Sequence, residues 1–235
     1  MTVAFTNLTS GDDTDGNSTA TSASVTLLAN RLHLLTVSSQ QFNGSPAEIP
    51  TCTGWTQVAT FVYYDAGGTD IPSSRLTILR RMPGSNETGT HTIDFNSVNQ
   101  NEVMYSIDQS DANVETGGTN GSAAIVQSVT NSGNSTALSA TLAAFGDADN
   151  GTFGAGTIYT SGMTPWTVGT GFTALTNIAG GFTTDLSLLT EYRTDNDTSV
   201  DATASGAGDW GVIALEIAAT GGGGGGGNVL AWIRA

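Results

Sequence analysis

Apolar side chains recur at alternate positions along this chain in runs of four to ten residues, and clusters of Gly, Asn, Asp, Ser and Pro bound each run. A period of two sends successive side chains to opposite faces, which predicts β-strands with one face buried. The clearest runs are 24–27, 32–37, 55–64, 76–79, 92–95, 103–107, 124–129, 138–142, 186–192 and 210–217. Turn chemistry is dense between them, at 11–17, 43–46, 66–68, 83–86, 117–121, 147–151 and 195–197. Only 136–145 has the propensity of a helix, and its alternation through Leu138, Ala140 and Leu142 favours a strand. The glycine-rich stretch 151–181 alternates less and predicts short edge strands and loops. Strands at this spacing, with no helical period between them, predict an all-β fold: an antiparallel two-sheet β-sandwich, jelly-roll-like.

The pattern stops at Thr220. Residues 1–220 read as the sandwich domain, 221–227 as a polyglycine linker and 228–235 as an apolar terminal peptide. Glycine loses more backbone freedom on ordering than any other residue and brings no side chain to a core. Four apolar residues beyond that linker, Val229, Leu230, Trp232 and Ile233, therefore predict an assembly element that docks on a neighbouring copy or a larger particle. The peptide is far shorter than the roughly 20 apolar residues of a membrane helix, and no other segment approaches that length, so no membrane partner is expected. The first residues lack the basic start and apolar run of a secretory leader.

Composition narrows the function classes. Lysine is absent, six arginines face 21 carboxylates, and the formal net charge is −15. Nothing in that balance neutralises phosphates, which excludes nucleic acid as an expected partner. The excess negative charge keeps copies soluble without specifying a fold.

Candidate chemistry is sparse. Cys52, the one cysteine, lies in a loop-like segment and reads as an inert small residue, since only His33 and His91 are available to activate it. The two histidines read as structural or surface residues, His91 on a solvated face, and no zinc-ligand spacing occurs. Asp12, Asp13, Asp15 and Asn17, and again Asp147, Asp149 and Asn150, offer oxygen ligands that can wrap Ca²⁺, but such residues are also what turns require, and neither set ends in the bidentate glutamate of an EF-hand loop. The turn reading leads. Glu102, Asp108, Glu191 and Glu216 fall on strands, where a sandwich glycosidase would place its carboxylate pair. No Gly-x-Ser-x-Gly occurs. Catalytic, metal-binding and cofactor-binding residues are accordingly assigned as none, and no cofactor is expected. Asn-x-Ser/Thr sites recur, among them those at Asn7, Asn17, Asn43, Asn86, Asn120, Asn134 and Asn196, as so much Asn, Ser and Thr produces by chance. Trp55, Phe61, Tyr63, Phe95, Tyr105 and Trp210 read as core, whereas Trp166 and Tyr159 lie in the glycine-rich stretch and read as exposed, with sugar stacking as their functional alternative.

The segment order resembles a β-sandwich module common in virion proteins of tailed phages. The resemblance rests on the strands through Val25 and Leu27 and through 32–37, the strand start Gly54-Trp55-Thr56-Gln57-Val58-Ala59, the arginine-bearing 75–82 leading to Gly89-Thr90-His91-Thr92-Ile93, and the aromatic-led 210–217, and it spans about residues 20–219. It implies a multi-copy structural protein of a virus particle and no enzyme: a capsid decoration or cement protein, or else a tail fibre, spike or carbohydrate-binding host-attachment module. The implied partners are other copies of the chain, a major capsid or tail protein and, for the attachment role, host surface glycans. The implied location is the virion, after synthesis in host cytoplasm.

Overall fold

The computed structural model describes residues 1–41, 46–65, 73–160, 164–179 and 186–221; the terminal residues Val229, Leu230, Trp232 and Ile233, and all but the first glycine of the linker, lie outside the described residues. The first half of the chain forms β1 (Phe5–Asp13), β2 (Thr19–Thr21), β3 (Val25–Leu27), β4 (His33–Gln41), β5 (Thr51–Cys52), β6 (Thr56–Asp65), β7 (Ser73–Arg81), β8 (Glu87–Gly89), β9 (Thr92–Asp94) and β10 (Glu102–Ser110). A 3-10 segment at Thr119–Ala124 leads into the second half, with β11 (Ile125–Thr141), β12 (Gly151–Tyr159), β13 (Thr167–Val168), β14 (Thr173–Ile178), β15 (Leu186–Arg193) and β16 (Ser199–Ile217). The fold is all-β with antiparallel sheets, and that 3-10 segment is its one helical piece among the described residues.

Two principal sheets face each other. The first has the order β1-β10-β4-β7-β6, and the second β11-β16-β12-β15-β14 with β13 attached to β16. Each draws its strands from one half of the chain, and the jelly-roll detail of the expectation, which needs repeated crossings between sheets, finds no support in that order. Between the sheets, Phe5, Leu34, Leu76, Ile78 and Met104 meet Phe153, Leu188, Ile213 and Leu215 in one apolar core.

Both principal sheets are also covered on their outer faces. Over the first lie two small sheets, β2-β9-β5 and β3-β8, whose Ala20, Val25, Leu27, Cys52 and Ile93, with Trp55 and Phe95 beside them, close on Leu35, Val37, Leu79, Val103, Tyr105 and Ile107. This second cover explains why all nine residues of β4 are buried although their sequence alternates.

The second sheet is covered by its own longest strands. β11 and β16 pair from Ile125↔Ile217 to Ser135↔Gly208, slip at a bulge between Ser135 and Ala137, and pair again from Ala137↔Thr203 to Thr141↔Ser199. Asn131 Nδ2 donates to Ser139 O at 2.8 Å and Gln127 Nε2 to Ala143 O at 3.0 Å, so the ribbon folds back over its own first leg. The returning leg points Leu138, Ala140, Val200, Ala202 and Ala204 down onto Ile158, Leu189, Trp210 and Val212.

The expectation of short edge strands and loops over 151–181 is met by the two-residue β13 and the edge strand β14 and corrected over 151–159. β12 is an interior strand, paired with β15 on one side and β16 on the other. Its glycines are there for close approach: a Cβ on Gly154 would stand 2.5 Å from Val200 and one on Gly156 2.9 Å from Leu138. Asp12 and Asp13 likewise belong to a strand, opposite Met104 and Val103, and not to a loop.

Candidate functional site

The four strand carboxylates are all buried, and the sheet register keeps them apart. Glu102 and Asp108 share the inner face of β10, six residues from each other, which is about 20 Å at a strand's rise per residue. Glu191 and Glu216 share the outer face of the second sheet. Glu191 lies opposite Gly154 and Glu216 opposite Thr152, with β12 between them, which sets their Cα atoms about 12 Å apart. Glycosidase carboxyl pairs stand roughly 5–9.5 Å apart, a separation that the spacing of Glu102 and Asp108 along β10 exceeds.

Each carboxylate is held within the fold. Asp108 receives Asn7 Nδ2 at 2.9 Å and Ser106 Oγ at 2.9 Å, and Ser106 reaches Thr176 of the opposite sheet at 2.7 Å. Burial nevertheless lifts its carboxyl to about 6, against the pull of those hydrogen bonds. With Ser38 to Thr157 at 2.8 Å and Tyr63 to Thr157 at 3.3 Å, these groups form a polar seam between the principal sheets. The seam is specific because a slip of one residue would bury its polar atoms without partners. Glu102 Oε2 accepts the backbone N–H of Leu186 at 3.2 Å. Glu216 is gripped by Gln127 Nε2 at 2.5 Å and Asn150 Nδ2 at 2.6 Å.

Glu191 differs from the rest. It is 1% exposed, its Oε2 accepts the N–H of Gly169 at 3.2 Å, and its Oε1 has no partner among the described residues. Burial, opposed by the Gly169 bond and reinforced by the charge of Asp201, raises its carboxyl to about 8. A carboxyl protonated at neutral pH is the condition of a general acid, and this one lies under the folded ribbon, away from solvent.

The remaining candidates are structural. Cys52 is buried, and that burial pushes its thiol up to about 11, with Arg81 pulling the other way, so it is a poor nucleophile at neutral pH. His33 is fully buried with Nε2 2.8 Å from Gln109 Oε1. His91 stands edge-on to Trp55 with ring centroids 5.4 Å apart and receives its indole N–H at 3.4 Å, so it is half-buried where the sequence predicts a solvated face. Both histidines have lowered pKa values, burial being the main cause. Asp13 and Asp147 accept the N–H two residues ahead, from Asp15 at 3.0 Å and Asp149 at 2.9 Å, which is turn chemistry. Among the described residues no three His, Cys, Asp or Glu side chains gather as a metal site.

The aromatic expectations divide. Trp55, Tyr63, Phe95, Tyr105 and Trp210 are buried as expected, and Phe61 is partly so. Trp166 corrects its expectation: it is 4% exposed beneath the ribbon, pinned by Asn177, which accepts its N–H at 2.8 Å and donates to its carbonyl at 2.9 Å. Tyr159 is half-buried and stacks on Tyr64 with centroids 4.8 Å apart and planes 21° from parallel. Alternation along each strand carries no sign of that pair, because it forms between strands of different sheets.

One backbone feature stands out. β11 is a sheet edge: one side pairs with β16, and the other has no backbone partner among the described residues. Its 17 residues include no charge and no proline. The other edges are blunted in the ways natural sheets blunt them. β1 has a bulge between Asn7 and Thr9 and ends in two aspartates, β6 is bulged twice, and β14 is bulged within its six residues. In β11 the bulges fall at 125–127 and 135–137, leaving a regular run at 127–135. At its head Val126 is 53% exposed, one of four large apolar side chains exposed among the described residues.

No protein-family model, curated protein sequence or solved structure matches the chain.

Proposed function

We propose that the chain is a multi-copy structural protein of a virus particle, most simply a capsid decoration or cement protein, and not an enzyme. The observation that carries this reading is the disposition of its ionisable groups: the buried carboxylates, the cysteine and His33 are enclosed in the layers, and none of them faces an accessible cleft. A molecule built this way offers rigidity and edges. Its partners on this reading are further copies of itself and a major capsid or tail protein, reached through Val229, Leu230, Trp232 and Ile233, and its location is the virion. The sequence resemblance to phage virion sandwiches supports the same conclusion.

Removing residues 221–235 tests it. The truncated protein is expected to keep its melting temperature while oligomer formation, or occupancy on the parent particle, falls; undiminished assembly would remove the reason for the reading. A second reading, a tail fibre, spike or carbohydrate-binding attachment module, is favoured by the stacked Tyr64–Tyr159 pair, a partly exposed aromatic surface. Glycan-array binding that is lost in Tyr64→Ala and Tyr159→Ala would select it.

A further inference from the structure

We infer that the free edge of β11 is the receptor for the terminal peptide of a neighbouring copy, with residues 228–235 adding to the second principal sheet as an extra antiparallel strand. This rests on the assembly role given above to those residues and names the surface that receives them.

Three observations carry the inference. The first is the edge itself, a regular, uncharged, proline-free run at 127–135 whose outward N–H and C=O groups have no backbone partner among the described residues, the template for strand addition. The second is the chemistry of the peptide. Asn228-Val229-Leu230-Ala231-Trp232-Ile233 has no acidic residue, is rich in strand formers, and brings apolar side chains to an edge where Val126 is exposed and Val58 and Phe61 of the facing β6 are only partly covered. The β6 edge lies on the same side of the sandwich as β11, so an added strand extends over apolar surface that both sheets leave open.

The third is where the linker leaves the sandwich and how far it reaches. Ile217 pairs with Ile125 at the start of β11, and Thr220 donates to Asn113 O at 2.7 Å, so the linker leaves at that end of the strand. Seven glycines span about 15 Å as a coil and about 23 Å when extended. The run 127–135 is about 26 Å long. To pair antiparallel along this run, a peptide returning to its own β11 would have to start at the far end, just beyond the reach of even a fully extended linker, and entering at the near end it would run parallel, whereas every strand pair described in this fold is antiparallel. A second copy has no such constraint and supplies the antiparallel partner.

Mixed cross-linking of full-length chains tests the inference, in a Cys52→Ala background. One chain carries Leu230→Cys or Ala231→Cys, so that both faces of the peptide are sampled; the other carries Ser128→Cys or Ser132→Cys on β11, both exposed, or Thr173→Cys on the β14 edge as the control. Under mild oxidation the disulfide between unlike chains is expected to form at least tenfold more with the β11 cysteines than with Thr173→Cys. The double variant Ser128→Lys, Ser132→Lys is expected to weaken tail-dependent oligomers at least tenfold, with Thr173→Lys leaving them intact. Equal cross-linking at both edges, cross-links confined within one chain carrying both cysteines, or lysines without effect would overturn the inference. If oligomers still require residues 221–235 in those cases, the assembly role stands and only the receptor is wrong. If no oligomer depends on those residues, both fail together.

Discussion

The two principal sheets bury their outer faces by different means. The first sheet is roofed by five short strands, β2, β3, β5, β8 and β9, contributed by the connections between its long ones. The second is roofed by a single ribbon, β11 and β16 bent back across their own sheet. The first roof is a patchwork of two- and three-residue strands fixed by large side chains, with Phe95 and Ile93 fully buried at its centre. The second is fixed by close backbone approach: a Cβ on Gly133 would stand 2.6 Å from the ring of Trp210, whose indole N–H donates to Ser135 at 2.9 Å beside the bend. A patchwork can lose one piece and keep the sheet beneath, whereas a folded ribbon belongs to the sheet it covers. The comparison teaches that the second half should unfold as one unit with its roof, and the first half need not.

The largest test of that contrast is truncation of an anchor in each roof. Phe95→Ala and Trp210→Ala should each destabilise by about 3–5 kcal/mol. In hydrogen exchange, Phe95→Ala should deprotect 19–27 and 87–95 while the pairing of β4 with β10 survives, and Trp210→Ala should deprotect both legs of the ribbon together. Equal, global deprotection by both variants would erase the distinction.

A smaller effect, on the order of a few kcal/mol, comes from titration. Unfolded carboxyls ionise near 4 to 4.5, while burial holds Asp108 at about 6 and Glu191 at about 8 in the folded protein. Between those limits the folded state binds more protons than the unfolded one, so this contribution is fully present below about pH 4 and is lost as pH rises through 8. Denaturant unfolding should therefore give greater stability at pH 5 than at pH 9. Glu191→Gln should flatten the upper part of the slope and Asp108→Asn the lower. Because Glu191 lies under the ribbon, an unchanged slope in Glu191→Gln would place the pH dependence outside the second roof.

The smallest expected effect is that of chelation. Asp13, at the end of β1, and Asp147 each accept a backbone N–H two residues ahead, and the amino group of Met1 reaches Asp149 at 2.9 Å. EDTA should leave the melting temperature within about a degree; a larger drop, restored by Ca²⁺ alone, would make one of these loops a ligand set and add a metal clip to whichever roof it adjoins.

What the sequence by itself determined is the class of the fold and its punctuation. Alternation through Leu138, Ala140 and Leu142 was enough to prefer strand to helix, and β11 indeed continues to Thr141. The aromatic-led run at 210–217 identified a core strand because a large apolar residue at every second position has one economical solution. Only the tertiary structure decided which faces are covered. A period of two states that a strand has two faces and is silent on what lies over each, so the fully buried β4, the interior position of β12 and the burial of Trp166 were not legible from it. The carboxylates show the same limit. Their place on strands can be read from the chain, but the distance between Glu191 and Glu216 is fixed by the register of β12 between β15 and β16, a pairing of segments tens of residues apart in sequence. The open edge of β11 was hidden for the same reason: its lack of charge is visible in the sequence, and its lack of a neighbour among the described residues is a property of strand order alone.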